Sequence, residues 1–235
     1  MFDILKIWAG AVAFLLVLFS VSVIKVIPLF EIRHISVHAD GSQRELSLIT
    51  KEIISRDLDN NYLLLLLNKD YLLNQLMKAT QYYVKDLKIL NFDWHNGYLV
   101  IQLYTNKAVA SLNGKYNLAL NGLIFGFYKP KKVVEIYDFQ RNWQFGDIYP
   151  NVNVKTVRVL QKRLGLKEIF VKGDVIYLKG SEIEFVVKKD LINGDTQLIK
   201  SSIQKIASIY NGRKRVNLFG KKAIYIKIFK ERTDE

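Results

Sequence analysis

An uncharged run near the amino terminus constrains this chain more than any other feature. Residues 7–24 read IWAGAVAFLLVLFSVSVI and carry no charge between Lys6 and Lys25. A helix rises 1.5 Å per residue, so this run, extended by Val26 and Ile27, covers about 30 Å of hydrocarbon. We predict a cytoplasmic head over 1–6 and a transmembrane signal anchor over 7–27. The residues that define the span are Ile7, Trp8, Phe14, Leu18 and Ile24.

Two other interpretations of this run stay open. A cleaved signal peptide has a shorter apolar core, followed by small residues at the cleavage site. Ser20-Val21-Ser22 is the nearest approach to such a site. A buried helix of a soluble domain is the third interpretation. If the run is a membrane anchor, the six residues that precede it most simply stay in the cytoplasm. That orientation places the rest of the chain on the periplasmic or extracytoplasmic side of the cell (inner) membrane.

Positive charge is concentrated in the C-terminal part. The formal net charge is +13, and residues 151–235 carry 19 basic and 9 acidic side chains. Such an excess attracts anionic lipid, an acidic protein surface or nucleic acid. The chain has no cysteine, which excludes disulfides, thiol nucleophiles and cysteine metal sites.

The hydrophobic pattern over 30–108 predicts the order β-α-α-β-β. Strands are predicted at 30–37, 84–92 and 98–104, and helices at 45–56 and from about 69 onward. Asn96-Gly97 is a strong hairpin signal between the last two strands. The leucine run at 62–67 is too short to span a membrane, and we predict a segment buried between the two helices.

A β-rich domain is predicted over 109–229. Its strands include a hairpin at 116–125, a strand at 133–139 and an antiparallel meander over 167–188. A helix with apolar spacing from Val154 ends at Gly165, and a second helix runs from about 193 to 210. Two final strands follow at 215–219 and 223–229, and a charged tail occupies 230–235. The predicted fold class is α+β: a transmembrane helix, a β-α-α-β-β domain, then a mostly antiparallel sheet domain with flanking helices.

The element order and several residues point to a known family. Phe30, Ile32, Ile35 and Val37 precede Gly41 in the pattern F-x-I-x-x-I-x-V, followed by a glycine turn. Directly after a membrane anchor, this pattern resembles the POTRA domain of the FtsQ/DivIB family of bacterial cell-division proteins. The family's third strand is matched by Tyr98, Val100 and Ile101. The chain has Thr105 and Ala108 where the family usually shows Glu and Pro, and V-N-L-F at 216–219 where it shows I-D-L-R.

The resemblance implies a non-catalytic scaffold of the division complex that links early and late division proteins at the septum. Its C-terminal sheet would bind small coiled-coil division proteins of the FtsB and FtsL type by strand addition, and its POTRA domain would contact other divisome proteins. By region, the implied partner-binding residues are Tyr210, Arg213, Arg215, Lys221, Lys222, Tyr225, Ile226 and Lys227. The alternative is a membrane-anchored POTRA protein for protein export or envelope assembly.

Motifs for catalysis are missing from the sequence. It has no nucleotide-binding glycine loop, no nucleophile elbow and no zinc-protease motif. We therefore predict no enzyme activity and no cofactor, although an anchored envelope enzyme with an unrecognised site stays open. His34 and His38 share a strand face and are interpreted as surface residues rather than a metal pair. The basic clusters lack interleaved exposed aromatic residues or a recognition helix, so we predict no binding to nucleic acid.

Overall fold

The computed structural model describes residues 12, 30–41, 43–127, 133–180, 183–194, 201, 214–218 and 224–228. The chain is α+β with few helices and mostly antiparallel sheets. Two compact units divide it, the first over residues 1–80 and 84–105 and the second over 81–83 and 106–235. Within the described ranges, no helix has the length and apolarity to cross a bilayer. The predicted span over 7–27 lies outside those ranges except for Val12.

The first unit packs helices against one small sheet. Its elements are β1 (His34–Ala39), α1 (Gln43–Asp57), α2 (Tyr62–Leu67), α3 (Lys69–Ala79), β2 (Val84–Asp93) and β3 (Tyr98–Thr105). The sheet order is β1-β3-β2, with β3 parallel to β1 and antiparallel to β2. Leu99, Ile101 and Leu103 alternate along β3 and are buried. This alternation is typical of a sheet with one face on a helical layer and the other toward solvent.

The prediction that 62–67 is a buried segment is wrong. These residues form α2, in which Leu65 is fully buried but Leu66 and Leu67 are 45% and 72% exposed. The Asn61 side chain starts the helix by accepting hydrogen bonds from the N–H groups of residues 63 and 64. A helix made of leucines has leucines on all sides, and only one side of α2 meets the core.

The first strand also begins later than predicted, at His34 rather than at residue 30. The N–H of Ile32 donates to the carbonyl of Asn60 at 2.6 Å. The N–H groups of Arg33 and His34 both donate to the carbonyl of Gly97, at 2.8 and 3.1 Å. These loop contacts take the place of the strand hydrogen bonds that the alternating sequence pattern predicts for residues 30–33.

The second unit contains a nine-stranded sheet. Its elements are β4 (Ala110–Leu112), β5 (Tyr116–Leu118), β6 (Ile124–Phe125), β7 (Val134–Tyr137), α4 (Val154–Leu164), β8 (Glu168–Lys172), β9 (Val175–Lys179), β10 (Ile183–Lys188), α5 (Lys189–Asn193), β11 (Lys214–Leu218) and β12 (Ile224–Ile228). The strand order is β12-β11-β10-β9-β8-β7-β4-β5-β6. Three neighbouring pairs are parallel: β10 with β11, β7 with β4, and β7 with β8.

One hydrophobic core fills this second unit. Ile136, Ile169, Leu178 and Val216 of the sheet join Val157 of α4 in it, and each is fully buried. The predicted helix over 154–164 is confirmed, because Asn153 caps its start and Gly165 ends it with φ 60°. The antiparallel meander of β8, β9 and β10 is confirmed as well. The predicted helix at 193–210 lies almost entirely outside the described residues.

Candidate functional site

The last strand, β12, ends the nine-stranded sheet, where the sequence predicts an edge. It pairs antiparallel with β11 over five consecutive positions without a register shift. No strand among the described residues lies on its other side. A strand at such a position offers a row of backbone N–H and C=O groups to which another chain can add.

The opposite end of the same sheet is closed. There the N–H of Ile124 donates to the carbonyl of Asp147, and the N–H of Gly146 donates to the carbonyl of Ile124, both at 2.8 Å. The N–H of Tyr149 donates to Gly122 at 2.9 Å, and Leu123 forms a bridge with Ile148. The segment at 146–149 therefore occupies backbone groups of β6 that a partner strand would need.

The small sheet of the first unit has end strands of a different kind. Strand β2 has register shifts between Val84 and Asp86 and between Ile89 and Asn91. Such irregularities, together with lysines, discourage edge-to-edge pairing. At the other end, the Gln43 side chain donates to the carbonyl of Val37 in β1 at 3.0 Å. The regular ladder of β12 makes that strand the best candidate for strand addition.

Arg215 of β11 is engaged in an ion pair within the sheet. Its Nε and Nη2 atoms donate to Oε2 of Glu184 in β10 at 2.9 and 2.7 Å. The two side chains are 41% and 28% exposed. The sequence predicts that Arg215 contacts a partner, but it does not predict the ion pair with Glu184. A partner that reaches Arg215 therefore meets an ion pair rather than a single cation.

The ladder register assigns the predicted contact positions to two faces of the sheet. Ile226 stands opposite Val216, which is fully buried in the core. Tyr225 stands opposite Asn217, and Lys227 stands opposite Arg215. Because strand positions alternate, positions 225 and 227 belong to one side of the ladder and position 226 to the other. An added strand would follow the same alternation.

The structure does not bring all the predicted residues together. Arg215, Tyr225, Ile226 and Lys227 lie on the paired strands β11 and β12. The other predicted contact residues, Tyr210, Arg213, Lys221 and Lys222, lie outside the described residues. The span residues Ile7, Trp8, Phe14, Leu18 and Ile24 lie outside them too. Their assignment stays a prediction.

Sequence reasoning missed a buried carboxylate, Asp138, directly after β7. The residue is completely buried. Its Oδ2 accepts hydrogen bonds from the Tyr149 hydroxyl at 3.0 Å and from Nδ2 of Asn151 at 2.6 Å, and its Oδ1 accepts from the N–H of Gln140 at 3.1 Å. The alternation of buried Val134 and Ile136 continues to residue 138, so strand periodicity could have placed Asp138 on the core face.

The network around Asp138 reaches the end of β10. Lys189, at the start of α5, donates to the side-chain oxygen of Asn151, and the Asn193 side chain donates to the Asn151 carbonyl at 3.2 Å. Burial raises the pKa of the Tyr149 hydroxyl, and the nearby Asp138 charge raises it further. Tyr149 therefore stays a protonated donor at physiological pH. These bonds join the segment at 138–151 to α5 within the second unit.

A metal centre is not formed within the described part of the chain, where no three His, Cys, Asp or Glu residues are grouped to hold an ion. His34 and His38 both have exposed side chains on β1.

In comparisons with known proteins, no family model matches the sequence and no curated protein matches it. Function is therefore inferred from the residues and from the geometry of the sheet.

Proposed function

We propose that this chain is a non-catalytic, membrane-anchored scaffold of the bacterial division complex, of the FtsQ/DivIB type. The anchor at 7–27 would hold an N-in topology in the cell (inner) membrane. A POTRA domain at 30–108 and a β domain at 109–229 would stand outside the cytoplasm. The order of strands and helices in the first unit supports the POTRA assignment, with three helices between β1 and β2 instead of two.

One observation carries the proposal, namely the contrast between the two ends of the nine-stranded sheet. At the β6 end, backbone groups are used by the segment at 146–149, whereas β12 pairs regularly with β11 alone among the described strands. Main-chain hydrogen bonds along β12 would give a partner affinity, and alternate side chains would give specificity. Such a site binds another chain and needs no catalytic group.

The partners proposed for this strand are the small coiled-coil division proteins of the FtsB and FtsL type. Lys221, Lys222 and Lys227 flank or lie on β12, in the part of the chain with 19 basic and 9 acidic residues. A segment with acidic residues next to its added strand would be steered to this edge by charge. The POTRA domain would contact further divisome proteins.

The test of the proposal is depletion of the protein in its source cell. We expect depleted cells to form filaments without septa. When expression of the full chain is restored, we expect division to return to normal. Co-purification from solubilised membranes then distinguishes the alternative role in export: a scaffold recovers coiled-coil division proteins, whereas an export protein recovers secretion components. Normal division during depletion would rule out the proposed function.

Reversal of charge next to β12 should weaken partner binding. For Lys221→Glu with Lys222→Glu, we expect affinity for the coiled-coil partners to fall about tenfold at low salt, because steering charges near an interface govern association. The difference from the wild type should shrink as salt rises, since the Debye length shortens to about 3 Å at 1 M. Titration of the solubilised full chain at several ionic strengths measures both effects.

The matched control for that variant is Lys155→Glu with Lys162→Glu, which makes the same charge change at exposed positions of α4. We expect this control to bind partners as the wild type does. An equal loss in the two double variants would show that total charge, and not charge beside β12, governs binding.

A further inference from the structure

The first unit contains a cleft of about 400 Å³ that the proposed scaffold role does not use. One wall is the chain that enters β1, and the other is the C-terminal half of α1 with the loop that follows it. The residues that matter are Ile32, Arg33, His34, Lys51, Ser55 and Tyr98. No carboxylate lines the described cleft.

The wall at 32–34 is held in place by its backbone. The N–H groups of Arg33 and His34 both bind the Gly97 carbonyl. Gly97 has φ +62°, and a Cβ there would lie 2.6 Å from the Glu31 carbonyl oxygen, so only glycine permits this close approach. On the other side, the N–H of Ile32 binds the carbonyl of Asn60. The cleft is therefore preformed rather than dependent on loop closure.

The polar groups of the cleft are suited to an anion. In the described part of the chain, the ammonium group of Lys51 makes no hydrogen bond or ion pair. Arg33 uses its Nε for an exposed contact of 3.1 Å with Glu31, and its two Nη atoms are not part of that bond. The hydroxyls of Ser55 and Tyr98 add donors. A guanidinium, an ammonium and two hydroxyls around one cleft match the oxygens of a phosphate group.

The position of the cleft in the chain indicates which kind of molecule would carry that phosphate. Ile32 follows Ile27, the end of the proposed span, by five steps along the chain, so the cleft wall lies at most about 18 Å along the chain from the bilayer. Basic groups this close to a membrane are attracted to anionic lipid headgroups. Half-buried Ile35 adds apolar surface to the lining of the cleft.

We propose that this cleft binds the phosphate of an anionic phospholipid headgroup at the membrane surface. The proposal rests on the membrane anchor of the proposed function but not on strand addition at β12. Inorganic phosphate offers the same oxygens, so an experiment has to separate the two sources. Bound lipid would fix the first unit against the bilayer from which its chain emerges.

The absence of cysteine makes a direct test possible in the full chain. Ser55→Cys places one thiol in the cleft wall with almost no change of volume, and labelling by an uncharged, water-soluble maleimide reports whether the cleft is occupied. The protein is reconstituted in vesicles of phosphatidylcholine alone, of phosphatidylcholine with phosphatidylglycerol, and of phosphatidylcholine with added inorganic phosphate. Asn74→Cys, at an exposed position of α3 outside the cleft, is the control thiol.

We expect labelling of Ser55→Cys to slow about five- to tenfold with phosphatidylglycerol and to be unchanged with inorganic phosphate, while Asn74→Cys labels equally in all vesicles. Adding Arg33→Gln and Lys51→Gln should restore the fast rate. Adding Lys85→Gln and Lys88→Gln, which removes two exposed charges from β2, should not. Equal slowing by inorganic phosphate would overturn the lipid source. No slowing, or slowing that persists without Arg33 and Lys51, would overturn the site.

Failure of the cleft and failure of the proposed function give different results. A chain that does not stay with the vesicles after alkaline washing lacks the proposed anchor, whatever its labelling rates. A variant of β12 that loses partner binding should still show slow labelling with phosphatidylglycerol, because the cleft belongs to the first unit. Loss of partner binding in Arg33→Gln with Lys51→Gln would contradict the independence of the two sites.

Discussion

Tyr225→Pro abolishes partner binding and leaves membrane insertion intact; this is the largest functional effect we expect from one substitution. Tyr225 lies at the second position of β12, opposite Asn217 of β11. Proline has no N–H to donate and is poorly tolerated between paired strands. We expect affinity for the coiled-coil division proteins to fall about 100-fold or more, which corresponds to about 3 kcal/mol. Co-purification from solubilised membranes measures the loss.

Two further variants separate the backbone from the side chain. Tyr225→Val keeps the N–H and the strand preference, so we expect it to retain most of the binding. N–H groups point alternately to the two sides of a strand, so one of Tyr225→Pro and Ile226→Pro removes a donor toward β11 and the other a donor toward the partner. Near-normal binding by both proline variants would show that β12 is not the site of strand addition.

Asp138→Ala should produce the largest loss of stability. Removal of this carboxylate leaves the Tyr149 hydroxyl and the Asn151 amide, both buried, without the acceptor at 3.0 and 2.6 Å. A buried donor left without its acceptor costs about 1–3 kcal/mol, so the loss of the acceptor shared by these two donors should cost about 2–5 kcal/mol. Urea unfolding of the full chain with Trp8 and Trp94 replaced by Phe measures the change through the fluorescence of Trp143. Trp143 is a local probe, because its indole N–H donates to the Asp138 carbonyl.

Two controls for Asp138→Ala test the charge of the side chain at residue 138 and the position of the substitution in the chain. Asp138→Asn keeps the shape and one acceptor, and we expect an intermediate loss of about 1–3 kcal/mol. Asp174→Ala, at an exposed turn between β8 and β9, should change the free energy of unfolding by less than about 0.5 kcal/mol. If Asp138→Ala were as mild as Asp174→Ala, the buried network would not stabilise the second unit.

Elements with a clear period or stop signal could be predicted from the sequence. The helix at 154–164 has apolar spacing, a capping Asn153 and a terminal glycine, and the meander at 167–188 has alternation between glycines. The leucine run at 62–67 has no period, because every position is apolar. Its burial depended on which side meets the core, and a single sequence does not contain that information.

The site was predictable as a region but not as a set of contacts. The final strands and the edge position of the last one follow from pattern and order along the chain. The ion pair of Arg215 with Glu184 joins residues 31 positions apart through the parallel pairing of β10 and β11. The partners of Asp138 likewise come from a loop. Such contacts depend on strand order, and local periodicity does not determine strand order.

The closed β6 end has a consequence for assembly. With one end of the nine-stranded sheet occupied by the segment at 146–149, β12 is the end of the described sheet at which another chain can add. Two copies joined through β12 would form a two-fold symmetric pair rather than a filament. Such a pair would use the same backbone groups as the partner, so self-association and partner binding would compete, and the stoichiometry at this sheet would be one partner to one chain.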